Sequence, residues 1–250
     1  YNEVRGFWEL SKEAREPGYR KKPAYKREAE RDTFVAQQAS KVFTLNQPMK
    51  AELAKRGVPA GNIELTPNGV SELPDIKTPD PTLRTRLGIN EGDKVVGYIG
   101  SISAYEGLEI LLNACEQLNK QGENLKLLLV GDDQPLTAAT GNTNTHLNKP
   151  WLIQVGRVPH EEVADYYALL DAVVVPRKPL AVCNLVPPMK AAEALAYGKR
   201  LVVSDVAPLA EYADKYESVV SFDAGNAASL AQALQGSLKL PAPKPSAELL

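Results

Sequence analysis

Arg177, Lys190 and Glu193 lie in one stretch, DAVVVPRKPLAVCNLVPPMKAAEALAYGKRLVVSD, from Asp171 to Asp205. A guanidinium and an ammonium can neutralise an anion such as a diphosphate, and a carboxylate beside them can accept hydrogen bonds from a ribose diol. Lys190 and Glu193 are three residues apart, so a helix presents them on one face. The same spacing also describes a surface ion pair on an ordinary crossover helix, and such pairs are common and contribute little.

The residues around them predict the elements that would position this chemistry. Ala172 to Val175 is a short apolar run, as in a strand buried on both faces of a parallel sheet, and Pro176 ends it. A loop with Arg177 and Lys178 follows. A helix then opens at Pro187-Pro188, where a missing N–H costs nothing, and stops at Gly198. Leu201 to Val203 reads as the next strand. This order puts a helix N-terminus, with its free N–H groups and positive dipole end, at the carboxyl end of a sheet beside two cations. Ala191, Ala192, Ala194 and Ala196 keep the helix slim for close packing.

From Lys94 onward, apolar runs alternate with helical patterns: six strands in all, which predicts a doubly wound α/β fold with a parallel sheet. Ligands of such sheets bind beyond the strands' carboxyl ends. The turns expected there are Gly100-Ser101, Gly131-Asp132-Asp133, Gly156-Arg157-Val158 and the loop from Arg177. Each turn alone is a weak signal, and neither a GxGxxG string nor a phosphate-loop lysine motif is present. Their convergence is what points to a nucleotide pocket. Upstream, KVFTL (41–45) and Ile63 to Leu65 read as strands, Gln47 to Arg56 as a helix, and Pro67-Asn68-Gly69-Val70 as a turn whose glycine offers positive φ. Proline-rich, aperiodic sequence after residue 70 marks a boundary. The predicted organisation is residues 1–75, a linker over 76–93, the α/β domain over 94–237 and a Pro-rich tail over 238–250.

Bulk properties narrow the function. A formal net charge of −2 with 24% charged residues gives no global pull toward nucleic acid. Two distant cysteines, Cys115 and Cys183, suggest neither a disulfide framework nor a zinc site and fit a reducing compartment. Two histidines, His146 and His160, leave little material for a metal centre or a triad. No apolar run reaches the roughly 18 residues of a membrane span. Residues 12–31 hold eight Lys/Arg against four Asp/Glu. That run reads as a solvated helix face over Pro23 to Ser40, and it also admits contact with an anionic membrane surface or a phosphorylated acceptor. The absence of an initiator Met reads as a piece of a longer protein.

Taken in order, GYIGSISAYEGLEILLNA, LLLVGDD, VGRVPHEEVADYYALLDAVVVPR and LVPPMKAAEALAYGKRLVVSD resemble the nucleotide-sugar domain of GT-B glycosyltransferases, in particular retaining family 4. The string Pro188-Met189-Lys190-Ala191-Ala192-Glu193-Ala194-Leu195-Ala196 is similar to that family's donor loop and helix. The likeness spans about 94–223. It continues upstream in YNEVRGFWE and VFTLNQPMKAELAKRGVPAGNIELTPNGV, which look like the last elements of an acceptor domain and its hinge turn. The resemblance implies a GT-B fold with a partial acceptor-side domain at 1–75 and most of an N-terminal domain missing. It also implies transfer of a sugar, with retention, from a UDP- or GDP-sugar to a glycan or lipid-linked acceptor of a cell-surface polysaccharide. The expected location is the cytoplasm or the inner membrane surface. No metal or other cofactor is implied, and no Asp-x-Asp sequence is present.

Carried over position by position, the resemblance gives Glu193 the ribose hydroxyls and Arg177 and Lys190 the diphosphate. The backbone of Val186 to Pro188 would lie beside that diphosphate. Gly100, Ser101 and Gly131 belong to the donor turns, Arg157 and Val158 would sit near the base, and Asn68 and Gly69 would line the cleft between domains. Two departures stand out. Asn184 occupies the place of a family glutamate at the transferred sugar; an amide still bonds hydroxyls but supplies no negative charge. Ser101 and Glu106 stand where many members carry Arg and Lys, although Glu106 also occurs in the branch with a Tyr-Glu-Gly string. Two alternative readings follow. One is a non-catalytic nucleotide-sugar-binding module, which Asn184 favours. The other is a GT-B sugar-nucleotide epimerase, which two histidines disfavour.

Overall fold

The computed structural model describes residues 1–131, 136 and 149–246, and these form two compact units. The first unit comprises residues 1–68, 179–188 and 206–208, and the second comprises 69–178, 189–205 and 209–250.

The first unit is built on three parallel strands, β1 (Asn2–Val4), β2 (Val42–Thr44) and β3 (Ile63–Leu65), in that order across the sheet. Val42, Met49, Leu53 and Ile63 form its fully buried centre. Helix α2 (Pro23–Gln38) carries the cationic run and starts on a proline, whose fixed φ suits the first turn. Helix α3 (Gln47–Lys55) is capped by Asn46, whose side-chain oxygen accepts from the Met49 N–H at 2.9 Å. Helix α1 (Trp8–Arg15) has no counterpart in the sequence expectations and no side-chain cap. Tertiary contacts fix it instead: Glu9, only 1% exposed, pairs with Arg56 at 2.8 Å, and Arg56 stacks over the Phe7 ring at 4.3 Å.

In the second unit, β4 (Lys94–Gly100), β5 (Leu125–Gly131), β6 (Leu152–Gly156), β7 (Ala172–Val175), β8 (Arg200–Ser204) and β9 (Val219–Phe222) form one parallel sheet. The order across it is β6-β5-β4-β7-β8-β9. By sequence that is 3-2-1-4-5-6, so the chain reverses direction of travel between the neighbouring strands β4 and β7. Strand β7 matches its predicted limits residue for residue, because an apolar run bounded by Pro176 leaves little freedom. Helix α5 (Leu108–Lys120) lays Leu108, Leu111, Leu112, Cys115 and Leu118 onto the sheet. Helix α9 (Ala227–Ser237) adds Leu230 and Leu234 to the same core. The other α-helices among the described residues include α4 (Pro81–Arg86), α6 (Val163–Leu169), α7 (Met189–Ala196) and α8 (Ala207–Lys215).

Two segments read from sequence as irregular carry structure. Within 76–93, α4 is capped by Asp80, whose carboxylate accepts from the Thr82 N–H at 2.8 Å, and is anchored by buried Leu83. Six residues are too few to give a periodic signal. In the tail, the Arg200 guanidinium donates two hydrogen bonds to the Leu240 carbonyl, at 2.8 and 2.6 Å. The Ser246 N–H reaches the Leu195 carbonyl at 3.3 Å, so this stretch lies back over the C-terminal end of α7.

Candidate functional site

Arg177 follows β7 and Lys190 stands in the first turn of α7, while Glu106 belongs to the loop after β4. The adjacency of β4 and β7 brings the three together. Arg177 Nη2 donates to Glu106 Oε1 at 3.0 Å, and Lys190 Nζ lies 3.4 Å from Glu106 Oε2. Glu106 is 2% and Arg177 7% exposed. Each cation also faces a ring: Lys190 Nζ lies 5.2 Å from the Tyr98 centroid, and Arg177 Cζ 5.7 Å from that of Tyr105. Burial pushes the Glu106 carboxyl up, but the charges of Lys190 and then Arg177 outweigh it and hold the group below its ordinary value. Burial lowers the Lys190 ammonium, an effect the Glu106 carboxylate opposes and the Arg177 charge adds to.

Glycines let these segments approach. Gly107 has φ +72°, and a Cβ there would lie 2.0 Å from the Pro176 carbonyl oxygen. That contact places Glu106 against Arg177. Gly100 pairs in register with Gly131, and a Cβ on Gly100 would lie 2.4 Å from Lys190 Cε. A side chain on Gly100 would occupy the space that the lysine stem uses, and one on Gly131 would meet the Gly100 carbonyl oxygen at 2.1 Å. Ser101, next in the turn, accepts from the Tyr98 hydroxyl through its carbonyl at 2.6 Å. Asp132 and Asp133, the rest of the Gly131 turn, lie outside the described residues, as does His146.

Glu193 sits half-buried on α7, one helical turn beyond Lys190. Beside it is Tyr167, whose phenol is pushed well above its ordinary value, first by burial and then by the Glu193 charge. The Tyr167 ring stacks on that of Tyr197, with centroids 4.1 Å apart and planes 12° from parallel. Arg157, exposed, and Val158 follow β6, the edge strand, with β5 and β4 between them and β7. His160 is exposed at the start of a short 3₁₀ turn.

Asn184, Val186, Pro188 and Asn68 belong to the first unit, and Gly69 begins the second. Asn184 is held by backbone partners on both sides: Nδ2 donates to the Leu180 carbonyl of its own loop at 3.3 Å, and Oδ1 accepts from the Ala207 N–H at the start of α8 at 3.4 Å. The Val186 N–H donates to the Val182 carbonyl at 2.9 Å, and Pro187 and Pro188 have none. This stretch therefore presents no free N–H, and the first such groups are on α7. Val186 also lines a cavity of about 620 Å³ with Phe7, Trp8 and Arg56. Asn68 Nδ2 donates to the Pro187 carbonyl at 3.3 Å, while its Oδ1 accepts from Arg5 at 3.1 Å. Gly69 is exposed and does not adopt positive φ, contrary to the turn expected there. Among the described residues no group of His, Cys, Asp and Glu side chains is arranged to hold a metal ion. Among them, no helix is long and apolar enough to cross a membrane.

The sequence profile of the family "Glycosyl transferases group 1" matches residues 79–248. The chain belongs to that family. Among its relatives is a lipopolysaccharide 1,2-N-acetylglucosaminetransferase of Salmonella typhimurium, 30% identical over 183 residues, which are 69% of this chain and 46% of that protein. The chain thus spans about half the length of the group 1 enzyme it matches. Among solved structures, sucrose-phosphate synthase from Thermosynechococcus elongatus aligns with TM-score 0.73 at 22% identity, over 94% of this chain and 57% of that one. HepE from Anabaena, in complex with UDP and glucose, aligns with TM-score 0.68 at 20% identity, over 84% of this chain and 58% of that one. The fold of this group 1 member is accordingly GT-B, as the resemblance implies, and its sheet is the parallel one that the strand pattern predicts.

The site's least legible members are Tyr98 and the Tyr167–Tyr197 pair. None of the three stands out in the sequence, because a tyrosine in or beside an apolar segment carries no pattern that marks a site. Glu106 carried a signal, the Glu-Gly string where relatives place a cation, but its two partners lie far along the chain.

Proposed function

We propose that this chain carries the donor half of a retaining glycosyltransferase. It binds a nucleoside diphosphate sugar, either a UDP- or a GDP-sugar, and passes the sugar to a glycan or lipid-linked acceptor. The observation that carries this reading is the pair of cations, buried Arg177 and half-buried Lys190, at the switch between β4 and β7 beside the N-terminus of α7. Fixed cations and helix N–H groups there stabilise the charge that develops on a diphosphate leaving group without waiting for solvent to reorganise. Glu193, one turn on, accepts hydrogen bonds from a ribose diol. Arg157 and Val158 serve the base, and Gly100, Ser101 and Gly131 let the ligand approach the strand ends. Asn184 meets the transferred sugar through its amide. The chemistry asks for no metal or cofactor. The titration to make is UDP, GDP and ADP into this chain and into Glu193→Ala by calorimetry. One nucleotide should bind, and the substitution should weaken it about tenfold, the worth of a charged hydrogen-bond acceptor. Absence of binding at millimolar concentration for all three would count against the reading. If the nucleotide binds but the full-length protein neither transfers nor hydrolyses its donor, the non-catalytic module is the better description.

The location proposed is the cytoplasmic face of a membrane. Trp8 and Phe34 are 65% and 61% exposed in the unit that also carries Arg20, Lys21 and Lys22, the last of them paired with Glu16. Several cations of this run are paired with acids, among them Lys26 with Glu30 and Arg31 with Asp32, as on a solvated face. Apolar anchors beside the remaining charge suit a peripheral contact. Sedimentation with phosphatidylglycerol vesicles should carry the protein down at low salt, and Arg20→Glu with Lys21→Glu should release it. Equal sedimentation with neutral vesicles, or none with anionic ones, would remove the membrane from the account.

A further inference from the structure

We infer that Glu106 sets the charge of the donor site and so makes it select the diphosphate sugar over the free nucleoside diphosphate. The inference rests on the donor-binding reading above. Two cations sufficient to neutralise a diphosphate converge here, yet both are engaged by a single carboxylate. Glu106 is 2% exposed, so solvent screens it little, and the two cations hold it ionised. Its position is built rather than incidental. The loop is seated by the close approach of Gly107 to Pro176 and by the Ser103 carbonyl accepting from the Glu106 N–H at 3.0 Å. Lys178, the next cation of the loop, is turned to Glu109 at 2.6 Å. Among the described residues, Arg177, Lys190 and Glu106 together therefore present a net single positive charge.

That charge meets two related ligands in one catalytic cycle. In the donor, the distal phosphate is esterified to the sugar. In the leaving group, the same phosphate has a free terminal oxygen that ionises with a pKa of about 6, so it carries further negative charge near neutral pH. A site holding Arg177 and Lys190 alone rewards that extra charge and retains the product. Glu106 opposes it, while leaving the cations aligned for the charge that both ligands share. The carboxylate is thus a specificity-determining residue that favours donor over product.

The measurement is the ratio of dissociation constants for a nucleoside diphosphate and its sugar ester: UDP with UDP-glucose, GDP with GDP-mannose and ADP with ADP-glucose, keeping whichever pair wild type binds. Glu106→Gln keeps the shape and removes the charge. It should shift the ratio toward the free diphosphate by about tenfold, the effect of one unit charge a few ångström away in a partly screened site. Lys190→Gln should shift it in the opposite direction. Glu106→Asp, which disturbs position but keeps charge, should leave the ratio at its wild-type value. A purely structural role for Glu106 predicts equal weakening of both ligands in every variant. An unchanged ratio in Glu106→Gln, or shifts of the same sign in Glu106→Gln and Lys190→Gln, would overturn the inference alone. Wild type binding neither ligand would overturn the donor-site reading instead. Should Glu106→Gln fail to give a cooperative melt, wild type supplies the test: the proposal requires that it bind the ester at least as tightly as the free diphosphate, and a free diphosphate bound tighter would overturn it.

Discussion

Arg177→Met should lower stability by about 3–5 kcal/mol, because it leaves the buried Glu106 carboxylate short of its hydrogen-bonded partner. For a chain of this size each kcal/mol corresponds to about 2–4 °C in melting temperature, so the shift is readily seen by calorimetry or circular dichroism. Double substitution, Arg177→Met with Glu106→Gln, should recover a large part of the loss, since the uncompensated charge is then gone. A double variant as unstable as the single one would mean that Arg177 acts through packing on Tyr105 rather than through the ion pair. The pH dependence has a definite sign. The folded state holds the Glu106 carboxyl below its ordinary 4.5, so the pair's contribution is complete above that pH. It fades as pH falls through the lower, folded-state value. In Arg177→Met the carboxyl loses a cation that held it down, and the stability difference from wild type should shrink in acid as protonation removes the stranded charge. Nucleotide binding should fall with the substitution at every pH.

Gly107→Ala should cost about 2–5 kcal/mol, and Gly122→Ala only about 1 kcal/mol. Both glycines have positive φ, +72° and +90°, so both substitutions pay for a left-handed backbone. Only Gly107 lies against other atoms: a Cβ there meets the Pro176 carbonyl oxygen at 2.0 Å, whereas one on Gly122 meets nothing within 4 Å. The partner at Gly107 is backbone at the end of β7, which no rotamer change can move. The difference between the two variants therefore isolates the contact from the torsional cost. Because Gly107 follows Glu106 and Pro176 precedes Arg177, forcing these segments apart should also weaken nucleotide binding, which Gly122→Ala should leave intact. Equal melting temperatures for the two variants would show that the loop yields without strain and that its close seating is not a requirement of the site.

Several features were legible because their causes are local. The run AVVV, ended by Pro176, allows one reading as a buried strand, and it appears with those limits. Pro188 before α7 and Gly198 after it mark that helix's ends, so the placement of Lys190 and Glu193 on its first turns follows from the sequence. Short, tertiary-dependent elements were not legible. Helix α1 has no capping side chain and depends on Arg56, far along the chain, to neutralise Glu9. The tail has the composition of a linker, yet Arg200 and the carbonyl of Leu195 give its backbone partners.

The amino-acid order by itself determined an alternating α/β chain, its parallel sheet, the family to which it belongs and the cations at the end of one central strand. Periodicity, proline and glycine placement act over a few residues and need no knowledge of the rest. Only the tertiary structure decided what those cations face. Residues 106, 177 and 190 meet because β7 returns to lie beside β4, and strand order depends on how a whole sheet buries its two faces. A carboxylate read along the chain is one more charge in a loop. Placed out of reach of water between an arginine and a lysine, it becomes the group that sets the charge of the site.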